Sequence, residues 1–343
     1  MHVPDGFIDA PISAATAVVA AGAIAVSLRG ARRELDERTA PLAGLVAAFI
    51  FAVQMLNFPV AAGTSGHLLG GALAAILVGP YTGVLCVSVV LLMQGILFAD
   101  GGLTALGVNI TDMAITTTVV AYAVFRGLVK VLPRTRRSIT AASFTAALLS
   151  VPAAALVFTL LYSLGGTTDV SLGKVATAMI GVHLLIGVGE AAITALTVGA
   201  VIAVRPDLVY GARGLEQRLK LRVNGELVDA QAPLAPAAPR ISRRKLWIGG
   251  LAASLLLAGF VSFYASSNPD GLEKVAADQG IDQKAKEHAS ADSPLADYGV
   301  RDVDDARLSG GLAGVIGVGV TVVAGTGVFW AVRKRRGTTS QAA

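Results

Sequence analysis

The chain has 343 residues, of which 54% are hydrophobic and 15% charged, with a net charge of +5. A water-soluble domain must cover itself with polar groups, so this composition excludes one and points to a chain that crosses a membrane several times. The basic residues sit in short loops between apolar runs, with no zinc-finger, RNP-like or basic-helix pattern, which excludes a nucleic-acid partner. The single cysteine, Cys86, lies within the apolar "YTGVLCVSVVLLMQ". It permits neither an intramolecular disulfide nor a cysteine-built metal site, and it reads as a small buried hydrophobe.

In chain order, apolar segments are predicted at about 8–28, 42–60, 67–80, 82–98, 104–126, 141–163, 175–204, 246–265 and 311–332. A bilayer span takes roughly 20 residues, so the third, "HLLGGALAAILVG", is short and is expected to be tilted, re-entrant or shielded by its neighbours. With the amino terminus outside, "RGARRELDERTA", "RGLVKVLPRTRR", "RPDLVYGARGLEQRLKLR" with "RISRRK", and the tail "RKRR" all fall in the cytoplasm, as the positive-inside rule asks. Nine spans place the carboxyl terminus inside as well.

The fold class is an all-α polytopic membrane protein with a natural division. Residues 1–208 form a seven-segment bundle rich in Gly and Ala, which allow close helix approach in lipid. Residues 209–245 are a cytoplasmic linker with a Pro/Ala-rich end, "DAQAPLAPAAPR". Residues 246–336 are a two-helix accessory module around an acidic, extracytoplasmic loop at 266–308. That loop has too few apolar residues for a core of its own, so it is expected to fold against the bundle or stay mobile.

The chain opens with "MHVPDGF" and carries no Lys or Arg before Arg29, whereas a secretory leader needs a positive n-region. A bulky His2 disfavours removal of Met1, so the Met1 amine is expected to be free. A metal bound to that amine, the His2 amide nitrogen and His2 Nδ1 would close a five-membered and a six-membered ring, fused and nearly planar. An all-nitrogen plane suits Ni(II) or Cu(II) and not tetrahedral Zn(II), and it would need loss of the amide and imidazole protons. Of the four histidines, His67 lies in the Gly/Ser-rich "AAGTSGHLLGG" on the same outer side, where its imidazole could fill the fourth position. The bland alternatives are a dipeptide without a role and a helix-capping histidine.

His183 and Glu190, seven apart in "GVHLLIGVGEAAIT", share a helix face. They read as a proton relay, a transient ion step or a structural polar bridge, the last favoured by the surrounding glycines. Gln94, Asp100, Asn109 and Asp112 form a second polar cluster near the outer ends of two spans, and Asp100 before two glycines also reads as turn chemistry. There is no GxxxxGKS/T phosphate loop, and neither HExxH nor GxSxG stands in a fitting context.

"MHVPDGF", "AFIFAVQMLNFPVAAGTSGHLLGGALAAILVGP", "LLMQGILFADGGLTALGVNI" and "HLLIGVGEAAIT" together resemble the CbiM/NikM family over about residues 1–205, in order. Members are substrate-capture (S) components of energy-coupling-factor (ECF) transporters for nickel and cobalt. "NPDGLE", between the last two helices, is similar to the accessory subunit CbiN/NikN and its PDGLE relatives, here fused to the capture part. The resemblance implies Ni(II) or Co(II) as transported substrate, no cofactor, and residence in the cytoplasmic membrane. It also implies a transmembrane coupling (T) protein and two separate ATPase subunits as partners. It implies metal held by the nitrogens of Met1 and His2 and by His67. "VPDG" resembles the nickel branch, whereas "MEG" is commoner in cobalt members. The accessory module is associated with metal loading, and His288 in its loop reads either as an aid to delivery or as simply solvated. The rivals are an intramembrane metal enzyme using His183 and Glu190, and a self-sufficient channel or permease. A stand-alone carrier is expected to show paired mid-membrane charges, which this sequence lacks.

Overall fold

In the computed structural model, residues 1–35, 39–61, 63–133, 135–213, 220–223, 226–229 and 242–339 are described. Most of the Pro/Ala-rich stretch anticipated as a linker lies outside them. All nine apolar segments contain helix: α1 (Ala10–Glu34), α2 (Ala40–Gln54), α3 (Gly71–Val78), α4 (Pro80–Leu97), α5 (Leu106–Asn109), α6 (Thr117–Val131), α7 (Arg136–Gly165), α8 (Leu172–Val204), α9 (Arg243–Gly259), and, after the short α10 (Gly271–Gln279), α11 (Ala306–Thr339). A π-helical turn, Ile110–Thr116, joins α5 to α6 without a break. Seven of these stretches are long and apolar enough to cross a membrane, and the chain is a multi-pass membrane protein.

The starts of α1, α7 and α9 follow ordinary capping chemistry. Asp9 accepts from the Ile12 amide with Pro11 just inside α1, and Thr135 and Ser242 do the same for α7 and α9. Two segments are shorter than expected. The apolar run at 42–60 stops being helical at Gln54, because Pro59 cannot continue it, and a small hairpin follows: β1 (Phe58–Ala61) against β2 (Thr64–Gly66). The run at 67–80 becomes helical only after Gly70, whose φ of +89° ends the extended segment. Its eight-residue helix α3 is buried throughout, so neighbouring helices shield it from lipid.

Helix α7 packs along α8, and α11 packs along α2 and α9. The α2–α11 crossing is close: a Cβ on Gly44 would fall 2.4 Å from Thr326 Oγ1, and one on Gly325 would lie 3.3 Å from the Gly44 Cα. The polar loop between α9 and α11 folds onto the bundle end where α1 begins and α4 ends, with α10 against α8. A second hairpin, β3 (Lys220–Val223) with β4 (Glu226–Asp229), lies between α8 and α9.

Candidate metal centre

The first nine residues are not a loose tail. Met1, Val3 and Phe7 are buried. The Val3 amide donates to Asn109 Oδ1 at 2.7 Å, and Asn109 Nδ2 and the Gly102 amide both donate to the Val3 carbonyl. The Thr104 amide and hydroxyl both donate to Asp5 Oδ1, and the Lys286 amide donates to the Asp5 carbonyl. Backbone groups that a free terminus would leave to water are thus satisfied inside the protein.

This seat brings the Met1 nitrogen to 2.6 Å from His67 Nε2. His67 follows β2, and its Nδ1–H donates to the Leu68 carbonyl at 3.0 Å, which leaves the Nε2 lone pair directed at the amine. The His2 and His67 rings stack with centroids 5.1 Å apart. The three residues named as metal donors from sequence, Met1, His2 and His67, therefore converge.

Around His2 the side chains form a closed circuit. His2 Nε2 lies 3.1 Å from Gln94 Oε1, Gln94 Nε2 donates to the Tyr298 hydroxyl, and that hydroxyl donates to Asp100 Oδ2. Asp100 Oδ1 is 3.3 Å from His2 Nδ1. Burial pushes the His2 imidazole down to about 4, against an opposing pull from Asp100, so the ring is neutral near pH 7. An acceptor therefore faces each ring nitrogen, Gln94 Oε1 at Nε2 and Asp100 Oδ1 at Nδ1, and the neutral ring carries a single proton for the two.

The structure adds one donor-bearing residue not anticipated from sequence. Asp270, from "NPDGLE", places Oδ2 2.6 Å from the Met1 nitrogen and 3.4 Å from His67 Nε2. Among the described residues, His2, His67 and Asp270 form the group of His, Cys, Asp or Glu side chains able to surround one ion, with donor atoms within 4.8 Å of one another. Burial alone would raise the Asp270 carboxyl, but the Met1 ammonium and His67 hold it well below the usual carboxylate range. A cavity of about 650 Å³ opens onto this cluster, lined by both parts of the chain, including His2, Asp100, Asp270, His288 and Tyr298.

Most of the remaining candidates make structural hydrogen bonds. Glu190 accepts from the Leu69 and Gly70 amides at 2.5 and 3.0 Å and so anchors the loop that carries His67. His183 Nδ1 donates to the Met179 carbonyl, and its Nε2 is buried without a hydrogen-bond partner. The two residues do not join in one site. Gln94, Asp100 and Asn109 support the amino terminus, whereas Asp112 is buried in the π turn with neither oxygen hydrogen-bonded. His288 Nε2 donates to the Gly101 carbonyl and ties the accessory loop to the wall of the site.

The helical fold and the buried nitrogen-rich cluster define a multi-pass membrane protein with a site suited to a transition metal. Residues 2–208 match the family described as the cobalt uptake substrate-specific transmembrane region, and residues 244–334 match the PDGLE domain. The chain belongs to that cobalt-uptake family and carries a fused PDGLE domain. A putative metal transport protein of Haloquadratum walsbyi is 39% identical over 61% of this chain and 94% of its own length. A putative fused nickel transport protein NikMN of Archaeoglobus fulgidus is 41% identical over 61% of this chain and 68% of its own. The crystal structure of a truncated transition metal transporter superposes with a TM-score of 0.53 at 26% identity, covering 59% of this chain and 99% of that one. This is a transport protein and not an enzyme.

Proposed function

We propose that the chain is the substrate-capture component of an ECF-type importer. It takes Ni(II), with Co(II) as the competing substrate, at the extracytoplasmic face of the cytoplasmic membrane. The metal is bound by the Met1 amine, the His2 amide nitrogen, His2 Nδ1 and His67 Nε2 in one plane. The observation that carries this reading is the approach of the Met1 nitrogen to 2.6 Å from His67 Nε2, beside a neutral His2. Planar nitrogen coordination favours Ni(II) over Zn(II), and a neutral, hydrogen-bonded imidazole is a competent ligand.

The amino terminus and the loop at 266–308 lie outside, with the basic connections and carboxyl terminus in the cytoplasm. Residues 1–208 form the capture domain and 246–336 the accessory module, joined by the linker at 209–245. Energy comes from a T protein and two ATPase subunits, since capture by this chain supplies no driving force. The family description names cobalt, and the Archaeoglobus relative is named for nickel.

Nickel titration of the purified full chain in detergent tests the reading. His2→Ala and His67→Ala are each expected to abolish high-affinity binding, while His183→Ala retains it. Retained binding in both site variants, or its loss only in His183→Ala, would refute the assignment.

A further inference from the structure

We propose that Asp270 is the positioning carboxylate of the metal centre: it holds the Met1 amine against His67 Nε2, so that the accessory module completes the outer shell of a site built by the bundle. This rests on the chelate reading above. Met1 donates to Asp270 Oδ2 at 2.6 Å. The other oxygen, Oδ1, accepts from the Glu273 amide at 2.9 Å as the N-cap of α10, and the Asp270 amide donates to Glu273 Oε2. The bond from the backbone amide of residue 273 fixes the direction in which the carboxylate points.

The turn bearing Asp270 is in turn held by the strand that delivers His67. The Ser65 amide donates to the Pro269 carbonyl at 2.8 Å, and the Ser65 hydroxyl donates to the Asn268 carbonyl at 2.8 Å. Gly271 presses against Ile186 and His183 of α8, where a Cβ would come within 2.7 Å of Ile186 Cδ1. Asp270 and His67 are therefore registered to each other through one short stretch of backbone.

The chemistry needs an acceptor there. A metal-bound primary amine keeps two N–H bonds, which coordination polarises, and in a buried site those hydrogens require a partner. Asp270 Oδ2 is already placed to receive one. Losing the outer-shell partner of a metal ligand typically costs 10–100-fold in affinity.

The test is nickel titration of the full chain with Asp270→Asn and Glu273→Ala, together with visible spectra at saturating nickel. Asn keeps the N-cap, because its oxygen still accepts from residue 273, but it turns an NH₂ group toward the Met1 amine. The proposal expects Asp270→Asn to weaken binding about 10–100-fold with an unchanged spectrum at saturation. It expects Glu273→Ala, which removes the side-chain acceptor of the Asp270 amide but keeps the residue-273 amide on Oδ1, to stay within about threefold of wild type. Four results would overturn it: Asp270→Asn binding like wild type, an equal loss in Glu273→Ala, a changed spectrum showing direct ligation, or complete loss of the nickel spectrum. A wild-type chain that binds no nickel would remove the underlying chelate reading, a failure distinct from the others because no variant is needed to see it.

Discussion

Acid is expected to release the amino-terminal segment from its seat. Burial holds the His2 imidazole near 4, whereas an undocked, solvated His2 keeps its ordinary value of 6.5. Above pH 6.5 both states are neutral and docking has its full stability. As the pH falls through 6.5 the undocked state takes up a proton that the docked state refuses, and the loss is complete near pH 4. The difference corresponds to about 3 kcal/mol of docking free energy. Asp270 does not contribute in this window, because its depressed carboxyl gives a stability that is full above the ordinary 3.8 and falls only below it. Hydrogen exchange of the peptide covering residues 1–9 in metal-free protein, corrected for intrinsic rates from pH 8 to 4, reads the opening directly. His2→Gln, which has no titrating ring, should flatten the profile. Protection that stays constant between pH 6.5 and 4, or an equal decline in His2→Gln, would refute the reasoning.

Three further outcomes follow from the supports of the site. Glu190→Ala leaves the Leu69 and Gly70 amides without their acceptor, which at about 1–3 kcal/mol each should destabilise the protein by about 2 to 6 kcal/mol; thermal unfolding in detergent and nickel affinity should fall together. Gly102→Val places a Cβ onto the Asp5 backbone nitrogen, so nickel binding should be lost and exchange at residues 1–9 should rise while the helical circular dichroism is retained. Tyr298→Phe removes the hydroxyl joining Gln94 to Asp100, at about 1 kcal/mol for each bond lost, so it should loosen docking of the accessory loop without abolishing metal binding; limited proteolysis of the 266–308 loop measures the first and nickel titration the second.

Much of this architecture was legible in the sequence, because apolar length governs helices in lipid, and every predicted apolar segment holds one. Where the boundaries moved, single residues moved them: Pro59 ended α2 early, and Gly70 delayed α3. Met1, His2 and His67 could be named in advance because ring closure is a property of the chain itself and histidine is scarce here. Asp270 could not. Its spacing to Glu273 marks a helix start, but nothing local says that this helix docks 269 residues away on the first amine. Glu190 was recognisable as an ionisable group inside an apolar helix, yet its partners are backbone amides, which leave no trace in residue identity. The Gln94–Tyr298–Asp100 circuit escaped for the same reason as Asp270, since it forms only when the accessory loop closes over the bundle end.

Chelation through the first amine is tested most directly by blocking it. The chain with one residue added ahead of Met1, and separately the chain acetylated at that amine, should lose high-affinity nickel binding and the planar Ni(II) absorption, with helical content unchanged. Nickel binding as tight as in the unblocked protein, with the same spectrum, would contradict the planar site.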